Sequence, residues 1–178
     1  MRVIGLVGSP RKGSNTDLLV SKILDGAGAS KHLTEKVYLY ALDVSPCVDC
    51  RSCKTGKFHC VIDDDMQLLY PKLEGADVIV FGTPLYWYGP TGKMKLMIDR
   101  LRPFIASKKL KGKKAIVVVP CEEGASACDY LVGMFELSFK YLGIELIDTV
   151  LVKAYDKAEV SGQSETLNSV FKLGKTLK

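Results

Sequence analysis

The sequence predicts an α/β domain: a doubly wound, five-stranded parallel sheet of order 2-1-3-4-5 in three layers. Three observations lead there. Short apolar runs alternate with helix-like stretches along the chain. Three of the runs, Val3–Val7, Val78–Gly82 and Ala115–Val119, are almost continuously apolar, as strands covered on both faces are. Polar, glycine-bearing segments follow the strands, where open α/β sheets place their ligand loops.

Taken in order, the strands are Val3–Val7, Lys36–Tyr40, Val78–Gly82, Ala115–Val119 and Glu145–Val150. The first helix, Thr16–Gly26, gathers Leu18, Leu19, Ile23 and Leu24 on one face. The second, Asp64–Glu74, opens with acids that suit the positive end of a helix dipole and carries Met66, Leu69 and Leu73. Gly92–Arg102 follows with Met94, Met97 and Leu101 at helical spacing. Ala127–Leu142 is the longest amphipathic segment, and Gly143 is a natural stop. Ser164–Leu173 is the last helix. Right-handed crossovers leave few topologies for this alternation.

The chain has 178 residues, the size of one domain, so residues 1–178 are read as a single unit. Its long irregular stretch, residues 41–63, has the length of a functional loop. A hydrophobic fraction of 47% with 25% charged residues excludes a disordered chain. No apolar run approaches the ~20 residues of a membrane span, and no export signal follows Met1, so a cytoplasmic protein with no membrane association is expected. The six cysteines are then not expected to be disulfides. A net charge of +5 is too mild to imply nucleic acid. Lys108, Lys109, Lys111, Lys113 and Lys114 read as a solvated edge at the amino end of the fourth strand.

Gly8-Ser-Pro-Arg-Lys-Gly-Ser-Asn-Thr16 leads from the first strand into a helix N-terminus, a ready anion site. Ser9, Ser14 and Thr16 offer hydroxyls, Asn15 can donate or cap, and Arg11 supplies a charged fork. The loop lacks the Lys-Ser/Thr of a nucleoside-triphosphatase loop and the G-x-G-x-x-G of a dinucleotide site. A phosphate monoester bound without magnesium fits better than a plain helix cap. After the third strand, Tyr86, Trp87 and Tyr88 stand in a turn stiffened by Pro84, Gly89 and Pro90, suited to covering a flat ring. The competing reading is aromatics packed inward or at a subunit interface.

These two segments, the second running from Thr83 to Lys95, resemble the NADPH-dependent FMN reductase family over residues 1 to about 150, and within it most of all the iron–sulfur flavoproteins. The resemblance implies a flavodoxin-like fold binding FMN. Ser9, Arg11, Ser14, Asn15 and Thr16 would hold the phosphate, with Pro84, Leu85, Tyr86 and Trp87 beside the ring. Cys121, Glu122 and Gly124 match a third flavin loop in position, less well in sequence.

Cys47-x2-Cys50-x2-Cys53-x6-Cys60 lies in the long loop. Soft thiolates at this spacing suit a [4Fe–4S] cluster. A structural zinc, whose knuckles are usually two separated pairs, and a metal-free cysteine loop are the competing readings. The iron–sulfur flavoproteins resemble the first. Asp63 to Asp65 read as a helix start, and Cys121 and Cys128 as lying outside the cluster.

The expectation is an FMN-dependent oxidoreductase with an iron–sulfur cluster. The resemblance implies NAD(P)H or ferredoxin as donor, a quinone, flavin or oxygen species as acceptor, and a homodimer or homotetramer. A cluster-free NAD(P)H:flavin or quinone reductase is the first alternative; a flavodoxin-like carrier without a substrate is the second. A third is a metal-stabilised interaction module that binds no flavin.

Overall fold

Apolar continuity becomes the sheet interior. In the computed structural model, which describes residues 1–178, β1 (Arg2–Val7), β3 (Val78–Gly82) and β4 (Lys114–Cys121) are buried along nearly their whole lengths. The half-exposed β2 (Leu33–Tyr38) and β5 (Glu145–Lys153) form the edges. The order is β2-β1-β3-β4-β5, and every neighbouring pair is parallel.

Alternate strand residues feed two cores. Val3, Val7, Val80 and Val118 face α1 (Asn15–Ala29) and α6 (Ser164–Lys175). Ile4, Leu6, Phe81 and Val117 face α2 (Met66–Gly75), α3 (Gly92–Asp99), α4 (Pro103–Ser107) and α5 (Asp129–Leu142). No helix is long and apolar enough to cross a membrane.

Two elements depart from expectation. The second strand starts at Leu33 rather than Lys36 and ends at Tyr38, because Leu39–Ala41 turns as a 3-10 segment that buries Leu39. The helix expected over Gly92–Arg102 stops at Asp99. Pro103 then occupies the first turn of α4, where its fixed φ is preorganised and its missing N–H costs nothing.

Helices α1 and α6 cross backbone against backbone. A Cβ on Gly174 would sit 2.0 Å from the Ile23 carbonyl oxygen, and one on Gly26 would sit 2.1 Å from that of Phe171. The Ser30 hydroxyl adds a bond to the Lys175 carbonyl at 2.8 Å. The helix that carries the glycine–hydroxyl loop is therefore fixed at its far end. The lysine run is absorbed structurally: Lys109 pairs with Glu74 at 2.9 Å, and Lys114 donates to the Lys178 carbonyl at 2.7 Å.

Candidate functional site

The carboxyl ends of β1, β3, β4 and β5 open onto one edge, and their four loops enclose a cavity of about 240 Å³. A larger hollow of about 790 Å³ lies along β5 and α6, where no loop converges with another.

The first loop is shaped from beneath. Gly13 takes a left-handed φ of 68°, and its N–H donates to Asp17 Oδ2 at 2.7 Å. Asp17 also accepts from the Tyr38 hydroxyl at 2.9 Å and pairs with Lys36 at 2.8 Å. Burial alone would raise the Asp17 carboxyl, but Lys36, the Gly13 N–H and Tyr38 together hold it below the usual carboxylate range. The arrangement ties the loop to the edge strand. Above it, Ser14 caps α1, and Ser9, Arg11, Ser14, Asn15 and Thr16 line the cavity.

Asn15 does not offer its amide inward. Its Nδ2 donates to the Asp156 carbonyl at 2.8 Å, and its Oδ1 accepts from the Val160 N–H at 3.1 Å. Glu159 accepts from the N–H groups of Tyr155 and Asp156 at 2.7 and 2.9 Å. The loop after β5 is thus latched to the start of α1, and only the backbone of Asn15 remains for a ligand. That loop adds Tyr155, Asp156 and Lys157 to the cavity wall. The sequence reading missed these three, although their position after the fifth strand is itself the signal.

The second loop supplies Pro84, Leu85 and Tyr86. Tyr86 and Gly89 exchange backbone bonds at 2.9 and 3.0 Å around a two-residue turn. Its central residues, Trp87 and Tyr88, take left-handed φ values of 51° and 59°. Such turns ordinarily carry Asn-Gly. Trp87 is 98% exposed and is not among the residues that line the cavity. Tyr88 meets Tyr130 edge-on at 6.5 Å between centroids. The third loop contributes Cys121 and Glu122, while Gly124 lies outside the wall.

These residues suit a phosphate monoester attached to a planar ring. A capped helix N-terminus, two hydroxyls and Arg11 meet at one end, and an apolar–aromatic wall of Pro84, Leu85 and Tyr86 stands at the other.

The cysteine loop forms a neighbouring feature. Its two feet are pinned by the acids that precede α2. Asp64 accepts from the N–H groups of Ser45 and Met66 at 2.9 and 3.0 Å and forms a two-pronged pair with Arg100, whose side chain is 1% exposed. Burial would raise Asp64, but Arg100 and the two N–H groups hold it below the usual range. A buried arginine was not legible in the sequence.

Cys47, Cys50, Cys53 and Cys60 all line one small hollow with Arg100 and Arg102. Burial, together with Cys60 and Cys47 nearby, raises the Cys53 thiol, while the Ser52 N–H lowers that of exposed Cys50. The four thiols are soft donors that share one hollow. No three or more His, Cys, Asp or Glu side chains converge as a metal site. The loop contains left-handed residues at Asp49, Arg51, Gly56 and Phe58.

Three comparisons bear on this geometry. An iron–sulfur flavoprotein of Methanocaldococcus jannaschii is 38% identical over 114 residues, covering 64% of this chain and 58% of its own. This chain thus spans little more than half the length of the curated iron–sulfur flavoproteins that it matches, 52% and 51% for two others. A protein of Bacillus subtilis named as an NAD(P)H-dependent FMN-containing oxidoreductase is 25% identical over 97% of this chain and 96% of its own. Among solved structures, an NAD(P)H:quinone oxidoreductase from Methanothermobacter marburgensis superposes with a TM-score of 0.78 at 17% identity, covering 100% of this chain and 99% of that one; this likeness shows the fold. Residues 1–143 match the model of the NADPH-dependent FMN reductases. With that match spanning four of the five strands and three of the four cavity loops, the chain belongs to the NADPH-dependent FMN reductase family.

Proposed function

We propose that this protein is an FMN-dependent oxidoreductase that takes electrons from NAD(P)H or reduced ferredoxin and passes them to a small acceptor such as a quinone, a free flavin or an oxygen species. The observation that carries the reading is the four-loop cavity, in which a helix-N-terminal anion cradle faces an apolar–aromatic wall. Bound FMN would supply a centre that accepts a hydride or single electrons. The chain's residues bind and orient it. Ser9, Ser14, Thr16, Arg11 and the Asn15 backbone would hold the phosphate, Pro84, Leu85 and Tyr86 the ring, and Cys121, Glu122 and Gly124 the third side. Trp87 would stand at the edge of the ring, and Tyr88, Tyr130, Leu137 and Tyr141 are also exposed. That apolar face supports a homodimer or homotetramer as the working form.

The test is reconstitution with excess FMN followed by desalting. About one flavin per chain should be retained, and NAD(P)H oxidation should then depend on an added quinone or ferredoxin. Colourless protein overturns the reading.

We further propose that Cys47, Cys50, Cys53 and Cys60 bind a [4Fe–4S] cluster. Soft donors sharing one hollow support this assignment. The second reading, a cluster-free reductase, is favoured by the lack of convergence of those side chains. Iron and acid-labile sulfide on anaerobically purified protein separate the two: about four of each per chain for the first, and none for the second.

A further inference from the structure

Cys121 belongs to the proposed flavin wall, but its pairing with Cys128 has no part in the reading above. Cys121 ends β4, Cys128 precedes α5, and their sulfurs lie 3.2 Å apart. A disulfide needs a separation of about 2.05 Å, so closure requires little movement. Gly124 sits between them in the sequence at φ 85° and ψ −168°, a conformation almost restricted to glycine. This turn aims the Gly124 carbonyl at both sulfurs, 3.0 Å from Cys121 and 3.7 Å from Cys128. Two buried thiols share one acceptor and each other.

The two sulfurs differ in access. Cys121 is 5% exposed and faces the cavity, whereas Cys128 is 0% exposed and lies behind it. Burial and the adjoining Cys121 push the Cys128 thiol up to about 12, which makes it the poorer first nucleophile.

We propose that Cys121 and Cys128 form a thiol–disulfide redox site that reacts with low-molecular-weight disulfides, Cys121 attacking and Cys128 resolving. The Cys121 thiolate attacks one sulfur of the small disulfide; a Cys121–S–S–R bond forms, the R–S–S–R bond breaks, and one thiolate leaves. Cys128 then attacks the Cys121 sulfur, its proton passes to the departing thiolate, and an intrachain disulfide remains. Two protein thiols have lost two electrons, and the small disulfide has become two thiols. Oxidation removes both S–H donors from the Gly124 carbonyl and draws residues 121–128 together. It therefore reshapes the cavity wall at Cys121 and Glu122. The proposal depends neither on FMN nor on the other four cysteines.

Trypsin provides a clean readout, because Ala115–Lys140 is one tryptic peptide holding Cys121, Cys128 and no other cysteine. The native full-length protein is exposed to oxidised glutathione, freed of it, then denatured, alkylated with iodoacetamide and digested. The peptide should carry two alkyl groups before oxidation, none after it, and two again after dithiothreitol. In Cys128→Ser, Cys121 should retain one glutathione; in Cys121→Ser, Cys128 should stay unmodified. A wild-type peptide that still takes two alkyl groups after oxidation, or that holds glutathione without ring closure, overturns the proposal. So does an unmodified Cys121 in Cys128→Ser.

Discussion

The Thr91 hydroxyl donates to the Gly8 carbonyl at 2.6 Å, across 83 residues of chain. Thr91 also caps α3, and its N–H donates to the Thr83 hydroxyl at 3.1 Å. One buried side chain thus fixes the spacing between the glycine–hydroxyl loop and the aromatic loop. Thr91→Val keeps the volume but strands the Gly8 carbonyl, so it should cost about 1–3 kcal/mol in urea unfolding. FMN affinity, followed by quenching of flavin fluorescence, should fall as well. Unchanged affinity would mean that the two loops hold their spacing without this bond.

Arg11, like Lys157, is an exposed cation of the cavity. If it pairs with a phosphate, Arg11→Ala should weaken FMN binding by about tenfold or more, the scale of one charge-assisted hydrogen bond. Riboflavin, which lacks the phosphate, should bind wild type and variant alike. An equal loss for both ligands would move Arg11 away from the phosphate.

Asp64 and Arg100 form a pair almost wholly out of water. Removing the carboxylate alone by Asp64→Ala leaves a buried guanidinium uncompensated and should cost about 3–5 kcal/mol. Replacing both residues, Asp64→Leu with Arg100→Met, should cost much less. Denaturant midpoints for wild type and the two variants form the test.

The folded state holds Asp17 and Asp64 below their ordinary value of 3.8. The stability they contribute is therefore complete above that pH and declines as the pH falls through the lower folded values. A urea midpoint measured against pH should drop steeply below about pH 4. In Asp64→Asn that acid limb should be shallower than in wild type.

Tyr88 occupies a left-handed position of a tight turn without being glycine. Tyr88→Gly should raise the stability of the isolated chain by about 1 kcal/mol, because the steric penalty disappears. If the aromatic face is an interface between copies, the same change should weaken self-association in light scattering.

The sheet order was legible because continuous apolar runs mark strands covered on both faces, a requirement each residue states locally. The loops after the first and third strands were legible for the same reason, since their glycines, hydroxyls and aromatics are consecutive. What failed was non-local. Leu33 is followed by polar Thr34, Glu35 and Lys36 because β2 is an edge, so its first half resembles a loop. The apolar spacing of α3 runs on to buried Leu101, which conceals the break that Pro103 enforces. The Asn15 amide is claimed by residues 156 and 160, partners far down the chain. Arg100 reads as a surface charge until Asp64 is known to face it.

Glycine-to-carbonyl contact between α1 and α6 sets an order of events during translation. The side of the first helix that meets α6 has no partner until residues near 174 leave the ribosome, and the bond from Ser30 to Lys175 spans 145 residues. Loop closure of that length comes late in folding. A nascent polypeptide therefore leaves the backbone of Ile23, Gly26 and Ala27 without its α6 contact for most of its synthesis, and its anion cradle acquires a rigid base only as the last turns emerge.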